Sequence, residues 1–344
     1  MTAAAHCNRT LMTDRSPLIT ATKRGLYCPP GDFYIDPGKA VQTAVVTHAH
    51  GDHLREGSAR MFMAAPGLGI ARKRLNDARN VVSVEYGTPV ALGPVTVSLH
   101  PAGHILGSAQ VRLEHQGEVW VVSGDYKRQP DPTCAAFEPL ECDVFISETT
   151  FGQPHFVWPD TAAVVGNIVR WWQINRERGK NSVLFCYALG KAQRVLAEML
   201  AHTQETVHVH GEIATLVEVY RAAGIAMVPT QQVTATSAAD LQGALVMATP
   251  TMSRSSWLKR LGLGTRAFCS GWMLLEGESG RRGYDMGFVV SDHADWPALV
   301  STCQGSRARR ILLMHGRTDR LAAHLRELGL DAAPLEAELG TMSA

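Results

Sequence analysis

Thr47-His48-Ala49-His50-Gly51-Asp52-His53 directly follows the strand-like run Val41 to Val46. Three imidazoles and a carboxylate within six residues are a ligand set, because imidazole and carboxylate are the donors that Zn²⁺, or Mn²⁺ in more oxygen-rich sites, accepts. The end of a strand holds the backbone still while the following loop bends back. The alternation His48, His50 can then face one ion while Asp52 and His53 face a second.

Two ions need further ligands, and two singletons stand in suitable places. His104 lies in Pro101-Ala102-Gly103-His104-Ile105-Leu106-Gly107-Ser108, and Asp125 in Ser123-Gly124-Asp125-Tyr126. Each sits beside glycine, which lets a backbone approach closely. A carboxylate such as Asp125 can bridge two ions at the roughly 3.5–4 Å separation used in phosphoryl transfer. A lone histidine near a strand end is otherwise a structural hydrogen-bonder, so His104 gains its reading from the preceding cluster.

Around these motifs the chain divides by periodicity. Short apolar strands are expected at Phe33–Ile35, Val41–Thr47, Val95–Leu99, Ala109–Leu113, Val119–Ser123 and Val144–Ser147. From about Asp160 the pattern changes to helix and strand in alternation. Helices are expected at Thr161–Arg178, Lys191–His202 and Glu212–Ala223, and strands at Val183–Cys186 and Val207–His210, a small parallel-sheet α/β unit. Beyond it, strands are expected at Gly287–Val290 and Ile311–Met314, and helices at Trp296–Cys303 and Thr318–Leu328. Trp171 and Trp172 fall on a helix, where they are core residues rather than a base-stacking platform.

Composition excludes several classes. At 344 residues, 45% hydrophobic and 19% charged, the chain is long enough for two compact units and has no apolar stretch of membrane-spanning length. Its first 23 residues mix Arg9, Asp14, Arg15 and Lys23 with short apolar pieces, so no secretory signal is expected and the location is cytoplasmic. Cys7, Cys28, Cys134, Cys142, Cys186, Cys269 and Cys303 are scattered and never spaced as CxxC, which argues for reduced thiols. The formal net charge of +1 rules out binding of nucleic acid by bulk electrostatics, so any phosphate affinity is local. Candidate clusters are Arg72 to Arg74, Arg254 with Lys259 and Arg260, Arg281 with Arg282, and Arg307 with Arg309 and Arg310; otherwise these are solvated faces.

His48, His50, Asp52 and His53 resemble the HxHxDH signature of metallo-β-lactamase-fold hydrolases, with His104 and Asp125 at the next two metal motifs. Asp36 in Tyr34-Ile35-Asp36-Pro37 resembles the first motif, whose aspartate supports the metal shell; its alternative is a turn aspartate before proline. Further on, Ser147-Glu148-Thr149-Thr150-Phe151-Gly152, Ala188-Leu189-Gly190-Lys191-Ala192-Gln193, Ser291-Asp292-His293-Ala294-Asp295 and Met314-His315-Gly316 are similar to β-CASP nuclease motifs. Longer stretches, including Gly25 to Asp36, Pro101 to Gln110, Trp120 to Lys127 and Ala188 to Arg194, look like the bacterial ligase-associated DNA exonuclease family across about residues 20–330.

The resemblance implies an α/β fold, a metallo-β-lactamase αββα sandwich with an inserted β-CASP cap. The core would occupy 17–154 and 286–344, and the cap 155–285. It implies two divalent ions, Zn or Mn, held by His48, His50, Asp52, His53, His104, Asp125 and His315. Asp52, Glu148 and His293 would be catalytic, with Glu148 and His293 an acid pair that protonates the leaving oxygen, and Ser291 and Lys191 would touch substrate. The activity implied is a two-metal phosphodiesterase, an exonuclease on DNA ends in repair, working with an ATP-dependent DNA ligase and a helicase. His210-Gly211-Glu212 mimics the last motif but lies within the cap. His315 is followed by Gly316-Arg317 where ribonuclease members often read His-Gly-Glu, so the substrate sugar stays open. Alternatives are an RNA 3′-processing ribonuclease on the same scaffold and an inactive metal-binding scaffold subunit; polarity and oligomeric state are not legible.

Overall fold

The computed structural model describes residues 17–234, 241–260 and 264–339. Cys7, Arg9, Asp14 and Arg15 lie outside the described residues, as does the Arg260 side chain. Two sheets open the chain. The first comprises β1 (Thr20–Thr22), β2 (Gly25–Cys28), β3 (Phe33–Ile35), β4 (Thr43–Val45), β5 (Arg60–Ala64) and β6 (Val81–Val84), hydrogen-bonded in that order. The second starts with β7 (Val90–Leu92), β8 (Val95–Pro101), β9 (Ala109–His115), β10 (Glu118–Val122) and β11 (Val144–Glu148).

The alternation read from the middle of the chain becomes a third sheet. Its strands are β12 (Asn181–Phe185), β13 (Val207–Val209), β14 (Thr230–Gln232), β15 (Leu245–Ala248), β16 (Gly264–Cys269) and β17 (Met286–Phe288). They lie in the order β14-β13-β15-β12-β16-β17, and every pairing is parallel. The chain then returns to the second sheet with β18 (Arg310–Met314), parallel to β11, and β19 (Ala332–Pro334), parallel to β18 at the edge. The third sheet is therefore built from chain that lies between two neighbouring strands of the second.

Period-two side chains set the layering. Val45, Phe62 and Ala64 of the first sheet meet Trp120, Val122, Val144, Ile146 and Leu312 of the second in one core, so the two sheets pack face to face. On the second sheet's outer face, Val121, Phe145, Ile311 and Leu313 are covered by Leu299 and Cys303 of the helix Trp296–Gly305 and by Leu321, Ala322 and Leu325 of the helix Thr318–Glu327. On the first sheet's outer face, Ala44, Val46, Met61 and Met63 share a core with α1 (Leu68–Arg74), α2 (Thr161–Glu177), α3 (Lys191–Glu198), α4 (Gly211–Ala222) and one face of the third sheet. Trp171 and Trp172 belong to this last core, and Trp172 donates its indole N–H to the Gly243 carbonyl at 2.9 Å. They are structural, as their helical placement suggested.

Expected and observed elements agree in kind and differ at ends. Val46 still donates to Phe62, but the Thr47 N–H is taken by the Asp36 carboxylate at 2.8 Å, so β4 stops before the ligand cluster. The helix expected over 191–202 tightens after Glu198 into a single 3₁₀ turn, Met199–Ala201. None of the six described cysteines is paired, and no helix among the described residues is long and apolar enough to cross a membrane.

Candidate metal centre and catalytic cavity

The side chains singled out in the sequence gather where strands end. His48, His50, Asp52 and His53 follow β4, Asp125 follows β10, Glu148 closes β11, His315 follows β18, and His104 lies in the β8–β9 connection. From the third sheet, the segments after β12, β16 and β17 bring Lys191, Ser270 and Ser291 to His293. All of these except His48 and Glu148, which lie behind the wall, line a cavity of about 890 Å³ outside the carboxyl ends of parallel strands, where α/β folds commonly place ligands.

Ligand atoms of His48, His50, His104 and Asp125 all lie within 4.8 Å of one another. Each imidazole is aimed by an oxygen behind it. His50 Nε2 faces the Leu189 carbonyl at 3.2 Å, and His104 Nδ1 faces the Asp292 carbonyl at 2.7 Å. A carbonyl only accepts, so these nitrogens carry the protons and the other nitrogen of each neutral ring presents a lone pair. Those two lone-pair nitrogens, His50 Nδ1 and His104 Nε2, are 3.1 Å apart, and His48 Nε2 is 3.0 Å from the same His50 atom. Converging lone pairs repel unless a cation lies among them. Burial, reinforced by neighbouring imidazoles, holds His48 and His104 well below the ordinary imidazole pKa, which suits neutral ligands.

A second group adjoins the first through Asp125. His53 Nε2 is 3.5 Å from Asp125 Oδ2 and 3.7 Å from Asp52 Oδ2, and the His53 and His315 rings are 6.3 Å apart between centroids. Asp36 lies behind it, accepting from Thr47 N at 2.8 Å and Thr47 Oγ1 at 2.6 Å, and its Oδ2 stands 2.7 Å from His53 Nδ1. Burial disfavours a charged His53, but Asp36 and Asp125 outweigh it and hold its pKa well above the ordinary value. His315 adopts a left-handed φ of 56°, and its carbonyl accepts from Thr149 Oγ1. Gly316 must be glycine here, because a Cβ would run into the Thr149 carbonyl.

Glu148 is buried, accepting from Tyr126 N at 2.9 Å and Thr150 N at 3.2 Å. Its carboxylate faces His293 Nδ1 at 2.9 and 3.1 Å, leaving Nε2 as the ring nitrogen not committed to Glu148. Burial works against charge on His293, yet Glu148 and Asp125 together raise its pKa to about 9. The pair anticipated from motif order is thus in contact, across 145 residues of sequence.

Of the two expected substrate contacts, Ser291 Oγ accepts from His293 N at 3.2 Å, and Lys191 Nζ lies 2.5 Å from Asp292 Oδ2. Lys191 belongs to a buried charge network not foreseen from sequence. Lys127 pairs with Asp131, and Arg194 Nε stands 3.6 Å from the same carboxylate. Arg194 donates to the carbonyls of Ser291 at 2.8 Å and Pro130 at 3.2 Å, and to Thr161 Oγ1 at 2.6 Å. Burial opposes ionisation of Asp131 and Asp292, but the cations outweigh it and hold both carboxyls below their usual range. The network pins the segment that carries Asp292 and His293. Its only sequence signal is the run of charged residues inside otherwise apolar motifs, Tyr126-Lys127 and Gly190-Lys191-Ala192-Gln193-Arg194. His210 stands apart from the cavity, capping α4 by accepting from Glu212 N at 3.4 Å.

No family model matches the chain. Over 327 residues, 93% of its length, it is 32% identical to a "Probable DNA ligase" of Opitutus terrae, of which it spans 32%. It is 26% identical over 202 residues to "Ribonuclease TTHA0252" of Thermus thermophilus, covering 49% of this chain and 45% of that one. The chain therefore spans about a third to under half of these relatives. A crystal structure of a protein of unknown function from Enterococcus faecalis V583 superposes with a TM-score of 0.57 at 12% identity, over 84% of this chain and 78% of the other, which shows a shared fold.

Proposed function

We propose that the chain is a metal-dependent phosphodiesterase that trims DNA ends. Its scaffold would be a metallo-β-lactamase αββα sandwich, residues 17–154 and 286–344, with a β-CASP cap at 155–285 whose sheet Met286–Phe288 completes. The observation that carries the reading is the convergence of His48, His50, His104 and Asp125 on one point, with His293, held by Glu148, in the wall of the adjoining cavity.

Two divalent ions, Zn or Mn, fit these donors. His48, His50, His104 and Asp125 would hold one; Asp52, His53, Asp125 and His315 the other. Such ions, when bound, polarise phosphoryl oxygens and lower the pKa of water towards about 7. The protein's own groups do the rest. Leu189 and Asp292 carbonyls and the Asp36 carboxylate fix which nitrogen of His50, His104 and His53 is free to ligate. Glu148 holds the Nδ1 proton of His293, which leaves Nε2 to deliver a proton to the departing oxygen. Ser291 positions the same loop from within it, and Lys191 holds it from the start of α3.

Alignment along most of this chain with a protein named for DNA ligation supports DNA as substrate and an ATP-dependent ligase as partner. A helicase partner and exonuclease action follow from the family resemblance, and a cytoplasmic location from the sequence reading of residues 1–23. A ribonuclease reading is favoured by the relative named as one. The test is digestion of matched 5′-labelled and 3′-labelled single-stranded DNA and RNA with Mn²⁺ or Zn²⁺, beside Asp125→Ala and His293→Ala. Metal-dependent loss of DNA, absent in both variants, is expected, and the surviving label gives the polarity. Digestion of RNA alone would replace DNA by RNA, and no cleavage of either polymer by metal-loaded protein would overturn the nuclease reading.

A further inference from the structure

Apart from imidazoles, three cationic side chains line the cavity among the described residues: Lys191, Arg74 and Arg317. Lys191 is neutralised by Asp292. Elsewhere on the surface, Arg79, Arg112, Arg176, Arg281, Arg307 and Arg309 are each spent on a carboxylate. Arg74 and Arg317 are exposed, and neither makes an ion pair with another described residue. They arrive from separate elements. Arg74 ends α1 and reaches the ligand loop, where its guanidinium would stand 3.0 Å from a Cβ placed on Gly51, between His50 and Asp52. Arg317 follows the constrained turn His315-Gly316, and its carbonyl lies near Gly152 on the rim.

Building on the phosphodiesterase reading above, we infer that Arg74 and Arg317 clamp the phosphates that flank the reacting one, making the cavity selective for a nucleic-acid strand over an isolated phosphodiester. The formal net charge of +1 leaves no general attraction for a polyanion, so local cations must supply it. A bare guanidinium offers two parallel donors to phosphate oxygens. The metal ligands and His293 act on one phosphate only; a strand brings its neighbours, and among the described residues these two arginines are the cavity-wall Lys and Arg side chains without a carboxylate partner.

The test compares two substrates in Arg74→Gln, Arg317→Gln and the double variant of the metal-loaded chain. One is a single-stranded oligonucleotide; the other is bis(p-nitrophenyl) phosphate, which carries one phosphate and no neighbours. Any loss common to both, whether from folding or from the metal centre, cancels in the ratio of their kcat/KM values. For the oligonucleotide relative to the small diester, the ratio is expected to fall roughly five- to tenfold per arginine, mainly through KM. The slope of log KM against log salt should flatten by about 0.7 for each lost phosphate contact on a single strand. An unchanged ratio with unchanged salt slope in the double variant, while the wild type cuts oligonucleotide, overturns the clamp alone. Hydrolysis of the small diester without cleavage of any oligonucleotide overturns the nuclease reading and the clamp with it.

Discussion

Arg194→Met should destabilise the protein, but less than Asp131→Asn, and that order follows from counting buried charges. The network holds three cations, Lys127, Lys191 and Arg194, against two carboxylates, Asp131 and Asp292, all with side chains at most 6% exposed. Removing Arg194 leaves two cations with two carboxylates. Removing the Asp131 charge leaves three cations with one. Arg194→Met also deletes donors to Ser291 O, Pro130 O and Thr161 Oγ1. Breaking one arm of a buried ionic group costs about 3–5 kcal/mol. With a urea m-value of about 3 kcal/mol/M, the midpoint should fall by about 1–2 M for Arg194→Met and further for Asp131→Asn. Equilibrium unfolding of metal-free protein, followed by circular dichroism, reads both. Since Asp131 and Asp292 are held below their usual range, their contribution is complete above the unfolded carboxyl pKa of about 3.9 and disappears as pH falls through the folded values. Asp131→Asn should therefore lose less stability on acidification than the wild type. A midpoint for Arg194→Met at or above that of the wild type, or below that of Asp131→Asn, would refute the reasoning.

Asp36→Asn keeps the shape of the group behind His53 and Thr47 but removes its charge; metal affinity should weaken about 10–100-fold, measured by chelator competition, with little change in the fold. Full metal affinity in this variant would make Asp36 the turn residue its place before proline first suggested. Glu148→Gln keeps an acceptor for Tyr126 N–H yet should slow cleavage by about 10²–10⁴-fold. In the same variant, NMR titration of metal-free protein should find His293 losing its proton at lower pH than the wild-type value of about 9. A raised histidine stabilises fully below the unfolded pKa of about 6.5 and ceases to do so as pH rises through the folded value, so stability of Glu148→Gln should vary less between about pH 6.5 and 9. An unshifted His293 would show that Glu148 does not hold its proton.

Local pattern alone marked many of the elements that carry the candidate site and its first ligand cluster, whereas Asp36, Glu148, His293 and His315 were singled out only by resemblance to a family. Alternating apolar residues marked β3, β8, β9, β10, β11 and β18, and contiguous ligands after β4 announced the metal chemistry, because both signals lie within a few neighbouring residues. Strands such as β1, β2 and β6 were not legible, being short and only half buried, and they depend on their partners for shape. Tertiary structure alone decided what orients each ligand. The carbonyls of Leu189 and Asp292 reach His50 and His104 across 139 and 188 residues, and a main-chain oxygen has no side-chain signature to read. The approach of Arg194 to Asp131 and, among the described residues, the lack of a carboxylate beside Arg74 and Arg317 are equally long-range, whereas Lys127 and Asp131 are close neighbours along the chain. Whether a charge is spent or free depends on which carboxylate the fold brings to it, and spacing along the chain carries no record of that.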